Sequence, residues 1–250
     1  MSTSSNEEKH KNDIYGNIDK RQADQDVAPP IPAATVVLLR DGESGTEVLM
    51  LHKNAKIDFG GMWVFPGGRI DAEDYPDDGD VNAAARAAAT RETREEAGID
   101  APSEGFVWFA HWTPPPTTAK RYATWFFAAR AETDQPVTID GGEIQDHAWV
   151  APADALALHD EGKIDLAPPT WVTLYHLSRY SPVDAILAHF KSQPHKVYQT
   201  RAVKRNDGVR VALWHGDAGY EEWNADLDGP RHRLVMAADG FNFENTIEEY

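Results

Sequence analysis

The sequence predicts a mixed α/β layered fold with a small β-rich C-terminal extension, and three observations predict it. Runs rich in β-branched and aromatic residues lie on both sides of one long stretch of strong helix formers, "NAAARAAATRETREEA". Helical periodicity returns in "PADALALHDEG" and "PPTWVTLYHLSRYSPVDAILAHF". After residue 196, Asp207-Gly208 and Asp239-Gly240 each sit between apolar runs, the pattern of tight hairpins. Strands around one helix, closed by more helix, make packed layers with a single core.

Taken in order, residues 1–28 are polar and charged and close on "PPIP", which predicts a disordered tail. The main domain, 29–192, opens with "AATVVLLR" and "TEVLMLHK" around "DGESG", a β-hairpin. "MWVFPGG" reads as a short strand stopping at Gly67-Gly68, and the acidic, punctuated segment 69–81 as a loop. The helix formers follow, and Gly98 stands where a left-handed residue ends a helix. "GFVWFAHWT" and "RYATWFFAAR" are strands flanking a Pro/Thr-rich loop, and "HAWVA" is another. The two later helical segments carry Pro near their starts, where the missing N–H costs nothing. Residues 193–250 form the β-rich extension, and no internal repeat is present.

At 41% apolar content the chain can bury a substantial core. Its net charge of −17 opposes non-specific attraction to nucleic acid or anionic lipid, so neither is an expected partner. No cysteine is present, which excludes disulfides and cysteine-ligated zinc. The opening residues lack a signal-peptide apolar core and no later run has the length of a membrane span, so a cytoplasmic location is expected.

The end of the first helix raises a chemical question. Glu92, Glu95 and Glu96 share one face through spacings of three and four, where like charges repel, and they face the negative end of the helix dipole. A salt-bridged solvent face would place Arg91 and Arg94 at matching positions, but the spacing puts these arginines off the carboxylate face. A hard divalent cation turns the repulsion into a binding site, because Mg²⁺ is held by a few carboxylates and completes its shell with water and phosphate.

"VFPGG", the helix and "RETREEAGI" together resemble the signature of the Nudix hydrolases. Arg91, Glu92, Glu95, Glu96, Gly98 and Ile99 match its second half, with Thr93 where an apolar residue is usual. The resemblance implies an α/β/α sandwich with a mixed sheet, and hydrolysis of a nucleoside diphosphate linked to another moiety. It implies a Mg²⁺ or Mn²⁺ site at Glu92, Glu95, Glu96 and Gly68, with Glu95 and Glu96 also catalytic. Glu143, six residues before Trp149, fits the family's later acid, as metal ligand or base on water; read without the family it is a turn residue in "DGGE". Arg69, Lys53 and Arg91 are the expected substrate partners.

Two departures stand out. Gly68 to Arg91 spans 23 positions, so the box carries an insertion. The family's bracing glutamate, eight residues before the arginine, is Ala83 here, leaving Asp80 or an acid of the inserted loop to replace it. The insertion and the segments "HWTPPPTTAKRYATWFFAA" and "GGEIQDHAWVAPADAL" resemble the branch containing the peroxisomal coenzyme A diphosphatases. Coenzyme A or acyl-CoA is therefore the favoured substrate, with NADH, ADP-ribose and nucleotide sugars behind it. The expected partner is a small nucleotide derivative, and a homodimer is left open.

Other features have plainer readings. Trp108, Trp112, Tyr122 and Trp125 could stack a base, although alternating strand aromatics equally describe a core. "DYPDDGD" is no EF-hand, since Pro76 and Ala85 occupy ligand positions, and the ten histidines show no zinc spacing. A non-catalytic nucleotide sensor should have lost helical carboxylates, and an RNA-end hydrolase should carry a basic patch; the sequence does neither.

Overall fold

The computed structural model describes residues 9–18, 28–43, 45–132 and 135–247. They fall into two units, Pro29–Thr113 with Tyr122–Val197, and Met1–Ala28 with Pro114–Arg121 and Tyr198–Tyr250.

The larger unit is built on a mixed sheet. The predicted hairpin is β1 (Ile31–Gly42) with β2 (Gly45–Lys53), and it pairs Leu39 with Val48. β2 is flanked by β3 (Trp63–Val64) and, further along the chain, β7 (Ile144–Val150). β1 also pairs with β4 (Gly67–Arg69) and runs parallel to β6 (Tyr122–Arg130), which in turn is antiparallel to β5 (Val107–Thr113). The β5 edge continues into β8 (Lys196–Gln199).

Alternation sorts the side chains of this sheet onto two faces. Val36, Leu38, Leu49, Leu51, Phe127 and Ala129 pack with Ala84, Ala85, Ala88 and Ala89 of α1 (Val81–Ala97). An alanine face lets the helix lie close to the sheet and costs almost no side-chain entropy. On the opposite face Phe126 meets Phe109 edge-on at 6.2 Å, and Phe109 stacks on Phe190 of α4 (Val183–Ser192) at 4.5 Å. Helices thus cover both faces, giving the expected α/β/α arrangement. α1 is stopped at both ends: Asp80 accepts the Asn82 N–H at 2.8 Å, and Gly98 adopts φ +68°.

Two elements depart from the sequence reading. Gly67-Gly68 do not merely end a strand; they form β4, with Gly68 opposite Ala34. Any Cβ at Gly67 would collide with Ala34 and Thr35, so glycine is what allows this pairing. The helical stretch 168–190 is two helices, α3 (Pro168–Leu177) and α4, after the shorter α2 (Pro152–Asp160). Pro182 supplies no N–H and excludes helical backbone at Ser181, while the Val183 N–H is taken by Asp41 at 2.9 Å.

The smaller unit holds an antiparallel sheet in the order β12-β11-β10-β9. Its hairpins, β9 (Arg201–Lys204) with β10 (Arg210–Leu213) and β11 (His232–Ala237) with β12 (Gly240–Asn245), turn at the two Asp-Gly pairs as predicted. The predicted tail needs correcting. Residues 1–8 and 19–27 lie outside the described residues, but His10, Asn12, Asp13 and Tyr15 are buried. Arg210 pairs with Asp13 and donates to the Gly16 carbonyl at 2.8 Å, and Thr117 donates to the Tyr15 carbonyl at 2.8 Å. Polar composition misled here because these groups find protein partners, which sequence alone does not show.

Candidate active site

The last two turns of α1 lie against β4, and this contact places the carboxylates. Glu96 is 4% exposed; its Oε2 accepts the Gly67 N–H at 2.9 Å, and its buried Oε1 has no hydrogen bond among the described residues. Lys53 Nζ approaches that oxygen at 3.2 Å, close enough for charge pairing but outside hydrogen-bond geometry. Burial pushes the Glu96 carboxyl up to about 7, opposed by Lys53 and the Gly67 N–H and reinforced by Glu92. Glu92 rests on Gly68, where a Cβ would strike its carboxylate. Burial, and to a lesser degree Glu95, raises its proton affinity against the pull of Arg91. Glu95 is turned outward, its side chain 58% exposed.

Arg91 ties this corner together. Its Nε and Nη2 donate to Asp74 at 3.0 and 2.9 Å, Nη1 to Glu92 at 2.9 Å and Glu95 at 3.2 Å, and Nη2 also to the Arg69 carbonyl at 3.1 Å. A guanidinium carries five N–H groups, and all five are engaged. Two expectations change. Arg91 lies over the carboxylates rather than off their face, and the N–H groups expected to meet a substrate phosphate are engaged by side chains and backbone of the chain itself. Arg94 does lie away, pairing with Asp100 at 2.6 Å.

The acid that replaces the box glutamate is Asp74, in a 3-10 turn (Ala72–Asp74) of the inserted loop. Asp80, the other candidate, caps α1 instead. Burial works against the Asp74 charge, yet the Arg91 hydrogen bonds and the Asp71 N–H hold its carboxyl below the usual range. Nothing in "RIDAED" singles out Asp74, because its meeting with Arg91 depends on how an acidic loop folds back over 17 positions. Thr93, the residue at an apolar position, is fully buried and donates its hydroxyl to the Ala89 carbonyl at 2.7 Å, so its polar atom is satisfied inside the helix.

Glu143 stands at the end of a turn organised by Asp140, which accepts the Glu143 and Ile144 N–H groups at 2.8 Å each. It is both a turn residue and a neighbour of the site, for its carboxylate is 3.7 Å from Lys53 Nζ. Lys53, expected to meet phosphate, has a side chain only 13% exposed and already faces two acids. Arg69 is the expected partner that stays open, 60% exposed and 3.8 Å from Asp71. Among the aromatics, Trp112 is buried and Trp108 and Trp125 pack against the α1-side core, while Tyr122 donates to Asp58 at 2.7 Å.

The donors at this corner are carboxylate oxygens and backbone, the ligand set of a hard divalent cation. Among the described residues no three acidic or histidine side chains already stand at metal-binding spacing. The chemistry nevertheless fits such an ion, because buried Glu96 keeps an oxygen without a hydrogen bond and Glu92 gains proton affinity from burial. Their charges are only partly met, Glu96 by Lys53 and Glu92 by an Arg91 that also serves Asp74 and Glu95. No helix among the described residues is long and apolar enough to cross a membrane.

A family model described as NUDIX domain matches residues 29–170. Among solved structures, a NUDIX hydrolase from Alicyclobacillus acidocaldarius is 21% identical with a TM-score of 0.58, over 64% of this chain and 96% of its own. An Ap4A hydrolase from C. elegans, as a binary complex, is 23% identical with a TM-score of 0.43, over 60% and 96% of the two chains. The NUDIX domain of Shewanella oneidensis NrtR, complexed with ADP ribose, is 19% identical with a TM-score of 0.47, over 64% and 92%. No curated protein matches the chain.

Proposed function

Because the chain belongs to the Nudix family of hydrolases, we propose that it cleaves the diphosphate of a nucleoside diphosphate joined to another moiety, with Mg²⁺ or Mn²⁺. The observation that carries this reading is Glu96, a buried helix carboxylate with one oxygen fixed by backbone and the other lacking a hydrogen bond.

A divalent ion would be held by Glu92, Glu95, Glu96 and the Gly68 carbonyl, and would supply charge screening for the phosphates and a more acidic water. The chain's own groups do the rest. Gly67 and Gly68 let β4 lie close to β1 and let Glu92 rest on its backbone, which sets that carboxylate beside the Gly68 carbonyl. Arg69, exposed beside them, pairs with a phosphate. Arg91 and Asp74 keep Glu92 and Glu95 in place between turnovers. Glu143 takes the proton of the attacking water, and its exposed carboxylate then returns that proton to solvent.

Coenzyme A and acyl-CoA are the favoured substrates within this class, since the lengthened box resembles the coenzyme A diphosphatase branch. The net charge of −17 supports a small nucleotide over a nucleic acid. The test is a panel of coenzyme A, acyl-CoA, NADH, ADP-ribose and nucleotide sugars with Mg²⁺ or Mn²⁺, run beside Glu95→Gln and Glu96→Gln. We expect both variants to lose about 100-fold or more in turnover while staying folded. Wild-type rates in either variant refute the assigned roles, and tight binding without product assigns the chain to the sensor class.

A further inference from the structure

Lys53 joins three pieces of the larger unit: the end of β2, the last turn of α1 and the turn before β7. The β2–β7 register slips between His52 and Lys53. Beyond the slip, the main chain of Lys53 is fixed by bonds to the Met62 carbonyl and the Gly61 N–H, each 3.0 Å. Asn54 then clasps the turn, donating its N–H to the Glu143 carbonyl at 2.8 Å and its side-chain amide to the Gly142 carbonyl at 3.1 Å. From this anchored base the Lys53 ammonium reaches Glu96 at 3.2 Å and Glu143 at 3.7 Å.

Resting on the hydrolase reading, we infer that Lys53 is a positioning residue: its anchored ammonium draws the exposed Glu143 carboxylate in towards Glu96, and so sets the base against the helix glutamates. Glu143 has a 63% exposed side chain and a mobile stem, and its backbone is held by Asp140 and Asn54 rather than its carboxylate. Without Lys53, Glu143 and Glu96 repel and the carboxylate turns to water. An ammonium that already faces two anions is, by the same token, a poor partner for phosphate.

The test compares Lys53→Met, Lys53→Arg, Glu143→Ala and the double variant Lys53→Met/Glu143→Ala in the full chain. If Lys53 acts through Glu143, Lys53→Met lowers kcat about 100-fold with KM within about threefold, and the double variant is no slower than Glu143→Ala. Lys53→Arg, which keeps the charge, restores at least about tenfold. Calorimetric titration with Mn²⁺ alone adds a readout free of turnover: Lys53→Met binds about fivefold tighter, because a cation beside the helix carboxylates is gone. Losses that multiply in the double variant, an effect on KM alone, or unchanged Mn²⁺ affinity in Lys53→Met each overturn the inference. If the wild-type chain hydrolyses no diphosphate, the hydrolase reading fails and the Mn²⁺ titration alone decides the place of Lys53.

Discussion

Arg233 in the smaller unit and Arg91 in the larger are both held by carboxylates, and they are built to opposite charge balances. In the smaller unit Arg233 meets Asp217 one to one through two bonds of 2.6 Å, and its third nitrogen donates to the Ala225 carbonyl. Asp217 accepts two further bonds, from the Gly219 and His232 N–H groups. Both side chains are essentially sealed from water and every charge is matched. In the larger unit Arg91 serves Asp74, Glu92 and Glu95 at once, with Glu96 beside them on Lys53. There the anions outnumber the cations. A matched pair is complete when the chain folds, whereas an anionic excess leaves like charges crowded together in the folded chain.

Breaking the matched pair should have the largest effect on stability. Asp217→Asn leaves a buried guanidinium without its counter-charge and should cost about 3–5 kcal/mol, measured as a lower urea midpoint. A midpoint unchanged from wild type would mean that the pair contributes nothing and the contrast is empty.

The second cluster should respond in function instead. Asp74→Asn should lower turnover by about 10- to 100-fold, the usual cost of losing a group that orients a ligand, with a urea shift below that of Asp217→Asn. Arg91 keeps its bonds to Glu92, Glu95 and the Arg69 carbonyl in that variant. A slow Asp80→Asn beside a normal Asp74→Asn would transfer the brace to the helix cap.

The smallest effect sharpens the comparison through its sign. Glu96 has a folded pKa of about 7, above its unfolded value of about 4.3, so the folded form binds the extra proton. Its contribution to apo stability is full below about pH 4 and is lost as pH rises through 7, a change of about 1–3 kcal/mol. Asp217 behaves the other way. Burial opposes its charge, but Arg233 and two N–H groups outweigh this and hold its carboxyl low, so its contribution is present near neutrality and lost in acid. Urea titrations of metal-free protein at pH 5.5 and 8 should show wild type losing stability where Glu96→Gln does not; equal losses in both would remove Glu96 as the cause.

What could be read from the sequence follows the range of the interactions involved. The Asp-Gly hairpins and the Gly98 stop are local, set by a few neighbouring residues, and they hold in the structure. Asp74 on Arg91, Lys53 between Glu96 and Glu143, and Asp13 on Arg210 join residues 17 to 197 positions apart. Charge type alone could not separate Asp74 from Asp71 or Asp80, nor mark Arg91 as saturated. The division of 168–190 was visible in Pro182, whose effect on a helix is local, but periodicity on both sides of it masked the break.

The partnership of Asp13 with Arg210 also bears on how the polypeptide is made. The earlier member of that pair leaves the ribosome 197 residues ahead of the later one, so the strand that seals the smaller unit arrives long after the segment it must capture. A nascent chain arrested before Arg210 lacks the partner of Asp13, and its Tyr15 segment should be more open to proteolysis than in the finished protein, where Tyr15 is buried.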